Sequence, residues 1–183
     1  PSPDANENLR KEGVSRKKIY RVGDIMVDSL RFHTEDARKS DILSRLGLIK
    51  EWRASAEGAS SQNSIVDYAL LTLHRPSNVD KPGSLEKILL ALEGIAEKVP
   101  VIFPIHPRTV KQIERFGYEP RVAAMPGLRL MPPCGYLDFV ALQTNAKLIL
   151  TDSGGIQEEA TVLGVPCLTL RDTTERPITV TQG

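Results

Sequence analysis

The stretch Leu148-Ile149-Leu150-Thr151-Asp152-Ser153-Gly154-Gly155-Ile156-Gln157-Glu158-Glu159-Ala160 decides how the chain is read. Residues 147–150 form an apolar run too short for a helix and suited to a buried strand. Asp152 or Ser153 is a natural N-cap for a helix over the residues after it. Gly154 and Gly155 tolerate unusual dihedrals and let the backbone approach a ligand or a neighbouring element closely. A helix starting there aims free N–H groups and a positive dipole end at an anion. Glu158 and Glu159 lie roughly one turn further in and point about 100° apart. One of them can face a ligand, which leaves the other to solvent or to a nearby base. The unit therefore reads as strand, turn and helix with phosphate-and-sugar chemistry, or as two glycines that merely allow tight helix–sheet packing. It is neither Gly-x-Gly-x-x-Gly nor a Walker loop, which disfavours a nicotinamide or ATP site.

Outward from this unit the same alternation recurs. Residues 66–73 form an apolar run that enters His74-Arg75-Pro76-Ser77-Asn78-Val79-Asp80, a loop by its proline and polar residues. From Ser84, Leu85, Ile88, Leu89, Leu92 and Ile95 recur at helical spacing. A strand over residues 101–105 runs into His106-Pro107-Arg108, followed by a helix over 109–116 that stops at Gly117. Residues 128–130 form a short strand and residues 136–144 a helix. After the central unit, Gly164 ends its helix, and a last strand over 165–170 leads into the polar segment 171–176. Upstream, residues 4–12 and 41–46 read as short helices, residues 19–22 as a short strand, and Asp24 as the cap of a further helix. Residues 54–64 read as an exposed loop, with Trp52 before them as a packing anchor.

Such alternation predicts parallel βαβ units, an α/β Rossmann-like three-layer parallel sheet. Ligands bind beyond the carboxyl ends of such strands. The segments His74-Arg75, His106-Pro107-Arg108, Ser153-Gly154-Gly155 and 171–176 are expected to meet there, giving a site rich in cations and N–H donors. His74 is a donor or acid at the end of a strand, or a structural histidine. Arg75 can grip phosphate in bidentate fashion, or cap a helix end. Arg176 can meet a phosphate or sugar hydroxyls, or pair with Asp172 or Glu175.

The 183 residues suit one domain with appendages. The hydrophobic fraction of 40% and charged fraction of 26% are ordinary for a globular protein. A net charge of +1 gives no drive toward nucleic acid or membrane, and the basic residues between Arg10 and Arg21 read as a solvated helix end. Cys134 and Cys167 lack metal-site spacing and read as reduced thiols. No apolar run approaches about 18 residues, so a cytoplasmic location is expected. The chain begins at Pro1 and ends at Gly183 amid apparent structure, which fits a portion of a longer protein.

Taken together, residues 151–160, Leu163-Gly164-Val165-Pro166 and Arg171-Asp172-Thr173-Thr174-Glu175-Arg176-Pro177 resemble the non-hydrolysing UDP-N-acetylglucosamine 2-epimerases. Tyr20-Arg21-Val22-Gly23-Asp24, residues 73–80 and Phe103-Pro104-Ile105-His106-Pro107-Arg108 match family segments in the same order. The resemblance implies one half of a glycosyltransferase-B type fold. Residues 1–40 would be the hinge and connecting helices from the end of an N-terminal domain, and residues 41–183 a C-terminal UDP-binding domain truncated at its end. It implies interconversion of UDP-GlcNAc and UDP-ManNAc by elimination and readdition of UDP, with no cofactor or metal, in a homodimeric parent engaged in cell-wall or surface polysaccharide synthesis. This chain would be the UDP-binding half, inactive alone, because the proton-transferring acids belong mostly to the other half. A UDP-sugar glycosyltransferase of the same architecture, or an epimerase of a modified UDP-amino sugar, are the alternatives.

Carried over by position, the resemblance makes His74 the active-site histidine near the diphosphate. Ser153, Gly154 and Gly155 become phosphate donors, Glu159 the ribose carboxylate, Phe139 a wall of the uracil pocket, and Arg176 the arginine at the sugar–phosphate end. Arg75 and His106 match positions that some members use for a second, regulatory UDP-GlcNAc. Two departures stand out. Many members read His-Arg-Arg-Glu-Asn where this chain has His74-Arg75-Pro76-Ser77-Asn78, so any role of that glutamate is lost. Cys134 replaces a glutamine often found before the uracil pocket.

Overall fold

The computed structural model describes residues 2–52 and 62–182. Its centre is a parallel sheet of five strands: β3 (Ala69–Thr72), β4 (Val101–Pro104), β5 (Leu128–Met131), β6 (Leu148–Thr151) and β7 (Cys167–Thr169). The spatial order is β5-β4-β3-β6-β7, with every neighbouring pair parallel. The chain thus adds strands in one direction from β3, then returns and adds β6 and β7 on the other side. β3 and β6 flank the switch point where strand order reverses, the place where such sheets open a crevice for ligands.

Successive residues of a strand face opposite sides, and both sides are buried here. Ala69, Leu71, Val101, Phe103 and Leu150 pack with helices α5 (Pro82–Ala96) and α6 (Pro107–Phe116) and with Val122 of α7 (Glu119–Ala123). Leu70, Ile102 and Ile149 pack instead with α3 (Ile42–Arg45), α8 (Tyr136–Asn145) and α9 (Gly154–Leu163). The result is the three-layer Rossmann-like sandwich expected from the alternation. α2 (Ile25–Ala37), capped by the Asp24 carboxylate on Met26 N, lies on α8 and α9 through Leu30, Ala37 and Val140. Among the described residues no helix is long and apolar enough to cross a membrane.

Several local expectations need correction. Residues 19–22 are not a strand; among the described residues no strand pairs with them, and Tyr20 and Val22 stay 79% and 89% exposed. The helix expected from Ser84 begins at Pro82, because proline at the first helical position has its angle preset and no N–H to satisfy. The 74–80 loop contains a single turn of helix, α4 (Pro76–Val79), begun the same way. Helix α1 (Pro3–Lys11) is as expected. Residues 54–61 of the expected loop, and the side chain of Trp52, lie outside the described residues. Gln62–Ile65 is strand, β2, paired antiparallel with β1 (Ile49–Trp52).

Candidate active site at the switch point

β6 ends in Thr151, whose hydroxyl shares a 2.6 Å hydrogen bond with Thr72 of β3 and accepts from Ser153 N at 3.0 Å. This clamps the two strand ends together before each chain turns away. Asp152 comes next, fully buried. It does not cap α9, contrary to one expectation. Its carboxylate reaches across the switch point and accepts from His74 N (3.0 Å), Arg75 N (2.8 Å) and Asn78 Nδ2 (3.1 Å) at Oδ2. The ring Nδ1 of His74 stands 3.1 Å from Oδ1. Burial alone would raise the Asp152 carboxyl, but the hydrogen bonds from the His74 ring and from the Arg75 and His74 amides outweigh it, and the group is held below the usual carboxylate range. Asn78 also donates to Leu170 O at 2.9 Å, which ties in the chain leaving β7.

Ser153 is the N-cap residue of α9, but its hydroxyl makes no capping bond. The first N–H groups of a helix have no intrahelical acceptor, so this end is a donor cluster backed by the helix dipole. The segment after β7 roofs it. A Cβ on Gly154 would come within 3.3 Å of the Glu175 carboxyl and 3.5 Å of Arg176 Cγ; one on Gly155 would meet Met26 Cε at 3.2 Å. Side chains at these positions would close the space between helix end and roof. Glu175 is paired with Arg75 at 2.7 Å and with Arg171, and is held low by its own backbone amide and by these two arginines. A carboxylate thus sits over the α9 N-terminus between two guanidinium groups. Thr174 Oγ1 donates to Gln157 at 2.7 Å and accepts from Arg176 N at 3.0 Å, fastening the roof to α9.

Neither glutamate of the central stretch is left to solvent. Glu159 is 4% exposed, with Oε2 accepting from Gln143 Nε2 at 2.7 Å and Oε1 from Tyr136 OH at 3.2 Å. A carboxylate offers about four lone-pair sites, so each oxygen retains room for another donor. Glu158 is buried too, and Arg176 Nε stands 2.6 Å from its Oε1. The ion pair anticipated for Arg176 with Asp172 or Glu175 is therefore made with Glu158 instead. Glu158 Oε2 has no hydrogen-bond partner among the described residues. Burial pushes the Glu158 carboxyl up, Arg176 pulls it down, and the nearby Asp24 adds to the upward push, leaving it raised.

Of the sequence-derived candidates, His74, Arg75, Ser153, Gly154, Gly155 and Arg176 meet at the strand ends. His106 joins them at the margin, its ring centroid 5.6 Å from that of His74, while its Nδ1 accepts from Arg108 N at 3.1 Å as the cap of α6. Arg108 turns away to Asp80. Phe139 is half-buried against the core cluster under α8. Burial raises the thiol of Cys134, and pushes that of Cys167 to about 11, so neither is primed as a nucleophile. Sequence reasoning missed Gln143 and Tyr136 as holders of Glu159, Asn78 as the link to β7, and the acceptor role of Asp152. The position of Asp152 at the end of a strand beside the switch point was the one signal available.

A family model described as UDP-N-acetylglucosamine 2-epimerase matches residues 1–183. The UDP-N-acetylglucosamine 2-epimerase of Methanocaldococcus jannaschii is 41% identical over 100% of this chain and 47% of its own length. The UDP-2,3-diacetamido-2,3-dideoxy-D-glucuronate 2-epimerase of Pseudomonas aeruginosa is 40% identical, over 100% of this chain and 46% of its own. The crystal structure of the M. jannaschii enzyme in complex with UDP-GlcNAc and UDP superposes with a TM-score of 0.85 at 39% identity, covering 98% of this chain and 46% of that one. The chain spans about half the length of the curated relatives it matches.

Proposed function

Because the chain belongs to the UDP-N-acetylglucosamine 2-epimerase family, we propose that it is the UDP-binding half of an enzyme that interconverts UDP-GlcNAc and UDP-ManNAc. The observation that carries this is the convergence, at the β3–β6 switch point, of His74, Arg75 and the N-terminus of α9, with the buried carboxylate of Glu159 further along the same helix. In this reading the diphosphate takes the place over α9 now held by the Glu175 carboxylate. It meets the N–H groups of Gly154 and Gly155, the Ser153 hydroxyl, His74 and Arg75. Glu159, oriented by Gln143 and Tyr136, accepts from the ribose hydroxyls. Phe139 bounds the base, and Arg176 reaches the sugar end on leaving Glu158.

Elimination removes the C2 proton and breaks the C1–O bond, giving a 2-acetamidoglucal and UDP; UDP then adds back to C1 while a proton is delivered to C2 from the opposite face, which inverts C2. Charge develops on the departing diphosphate, and fixed N–H donors and cations stabilise such charge without reorganising. The groups that move the C2 proton lie in the other half of the parent, to which residues 1–40 lead, residues 41–183 being the nucleotide domain. The parent works in the cytoplasm, as a homodimer, in surface polysaccharide synthesis. A second reading, a 2-epimerase of a 2,3-diacetamido UDP-sugar acid, is supported by the near-equal identity to the Pseudomonas enzyme.

Incubating the full-length parent with UDP-GlcNAc and monitoring the anomeric protons by NMR tests the proposal. UDP-ManNAc is expected to accumulate to equilibrium with deuterium from solvent at C2. Unchanged UDP-GlcNAc with a folded parent contradicts it, and turnover of the diacetamido sugar alone selects the second reading.

A further inference from the structure

We propose that Asp152 is the positioning residue for His74: it keeps the proton of the neutral ring on Nδ1, turned into the protein, so that Nε2 is the atom presented at the strand ends. The inference rests on His74 being a ligand-facing group, as proposed above. Asp152 is fully buried, and its two oxygens have different tasks. Oδ2 is occupied by three fixed donors, the amides of His74 and Arg75 and the Asn78 side chain. Oδ1 is left with the His74 ring at 3.1 Å and a longer contact of 3.2 Å from His74 N. An ionised carboxylate only accepts, so the Nδ1 facing it must carry a hydrogen. The neutral ring then has Nε2 unprotonated, and the ring gains an Nε2–H donor when it takes up a proton. The side chain of His74 remains 37% exposed on the other side. The same carboxylate that folds the β3–α4 loop therefore also sets which nitrogen of the ring meets a ligand.

Asp152→Asn separates the two tasks. The three donors at the Oδ2 position demand the amide oxygen there, which forces the amide NH2 into the Oδ1 position against Nδ1. The loop keeps its acceptor, while the ring now faces a donor and must move its proton to Nε2. A purely structural anchor would leave the ring unaffected by this change.

The test is the long-range proton–nitrogen NMR spectrum of the His74 ring in this chain, assigned against His74→Gln and recorded at a pH where the ring is neutral. The wild type is expected to show a protonated Nδ1 and an unprotonated Nε2, and Asp152→Asn the reverse. A wild-type ring with its proton on Nε2 overturns the proposal without any variant, and so does a folded Asp152→Asn chain with the wild-type pattern. In the parent enzyme, Asp152→Asn is expected to lower kcat by about 100-fold, because the ring loses the carboxylate that favours its doubly protonated form and presents the wrong tautomer when neutral. The double variant with His74→Gln should be no slower than His74→Gln alone; losses that multiply contradict the coupling. Failure of UDP binding would refute the functional reading and leave the tautomer result standing, so the two are separable.

Discussion

Asp152 and Glu158 are buried carboxylates on one strand–turn–helix unit, and their surroundings are opposite. Asp152 is surrounded by donors from the β3–α4 loop, and its carboxyl is held low. Glu158 has one cation at one oxygen, nothing at the other among the described residues, a second carboxylate nearby, and a raised carboxyl. A buried charge is tolerated when its hydrogen-bonding capacity is filled and is costly when it is not. The Asp152 corner is therefore scaffold: it fixes the loop that carries His74 and Arg75. The Glu158 corner is poorly satisfied, and it holds the arginine expected to change partners when a ligand arrives. On the proposed reading, a rigid corner would hold the phosphates and a less satisfied one the arginine at the sugar.

The largest test of this contrast removes the satisfied group. Asp152→Ala strands two backbone amides and the Asn78 side chain in a dry site, and is expected to cost about 3–5 kcal/mol. Denaturant unfolding should show it; a loss within the range of ordinary surface substitutions would mean that the donors find other acceptors. Glu158→Gln should do the reverse. An amide retains an acceptor for Arg176 without the buried charge, so a gain of about 1 kcal/mol is expected near pH 8. A loss would show that the ion pair outweighs its desolvation.

The two groups also predict opposite pH dependences. Asp152 is depressed when folded, so its contribution is present above the unfolded carboxylate range and is lost as pH falls through its folded value. Glu158 is raised, so its contribution is present below that range and is lost as pH rises through its folded value. Against wild type, the deficit of Asp152→Asn should shrink on acidification below about pH 4, and the advantage of Glu158→Gln should fade in the same direction from a higher pH. Parallel denaturation series of both variants check this. The smallest expected effect is at the roof. Glu175→Gln removes the carboxylate that stands over α9 between Arg75 and Arg171, and UDP affinity should rise by a few-fold, most at low salt. Unchanged affinity would mean that the diphosphate does not compete with Glu175.

The strands were legible because a sheet covered on both faces demands continuous apolar runs, and residues 66–73, 101–105 and 147–150 supply them. Residues 19–22 look similar locally but have no strand to pair with among the described residues, and pairing is a long-range fact. β2 was hidden by its polar Gln62-Asn63-Ser64, which carries no alternation. The site was legible as a set of strand-end residues, since topology alone gathers them. Its internal partners were not. Glu158 meets Arg176 and Glu159 meets Gln143 only because α9 is enclosed by α2, α8 and the segment after β7. That enclosure also explains why two adjacent glutamates, about 100° apart on a helix, are both buried. The role of Asp152 requires β3 and β6 to be neighbours, although the chain places β4 and β5 between them.

The most direct measurement is calorimetric titration of this chain with UDP beside its Glu159→Ala variant. Saturable binding by the wild type is expected, weakened about tenfold or more in Glu159→Ala, the loss of hydrogen bonds to one charged acceptor. A folded wild-type chain that takes up no UDP, or a variant that binds it equally well, would contradict the assignment of the switch-point site to a uridine nucleotide.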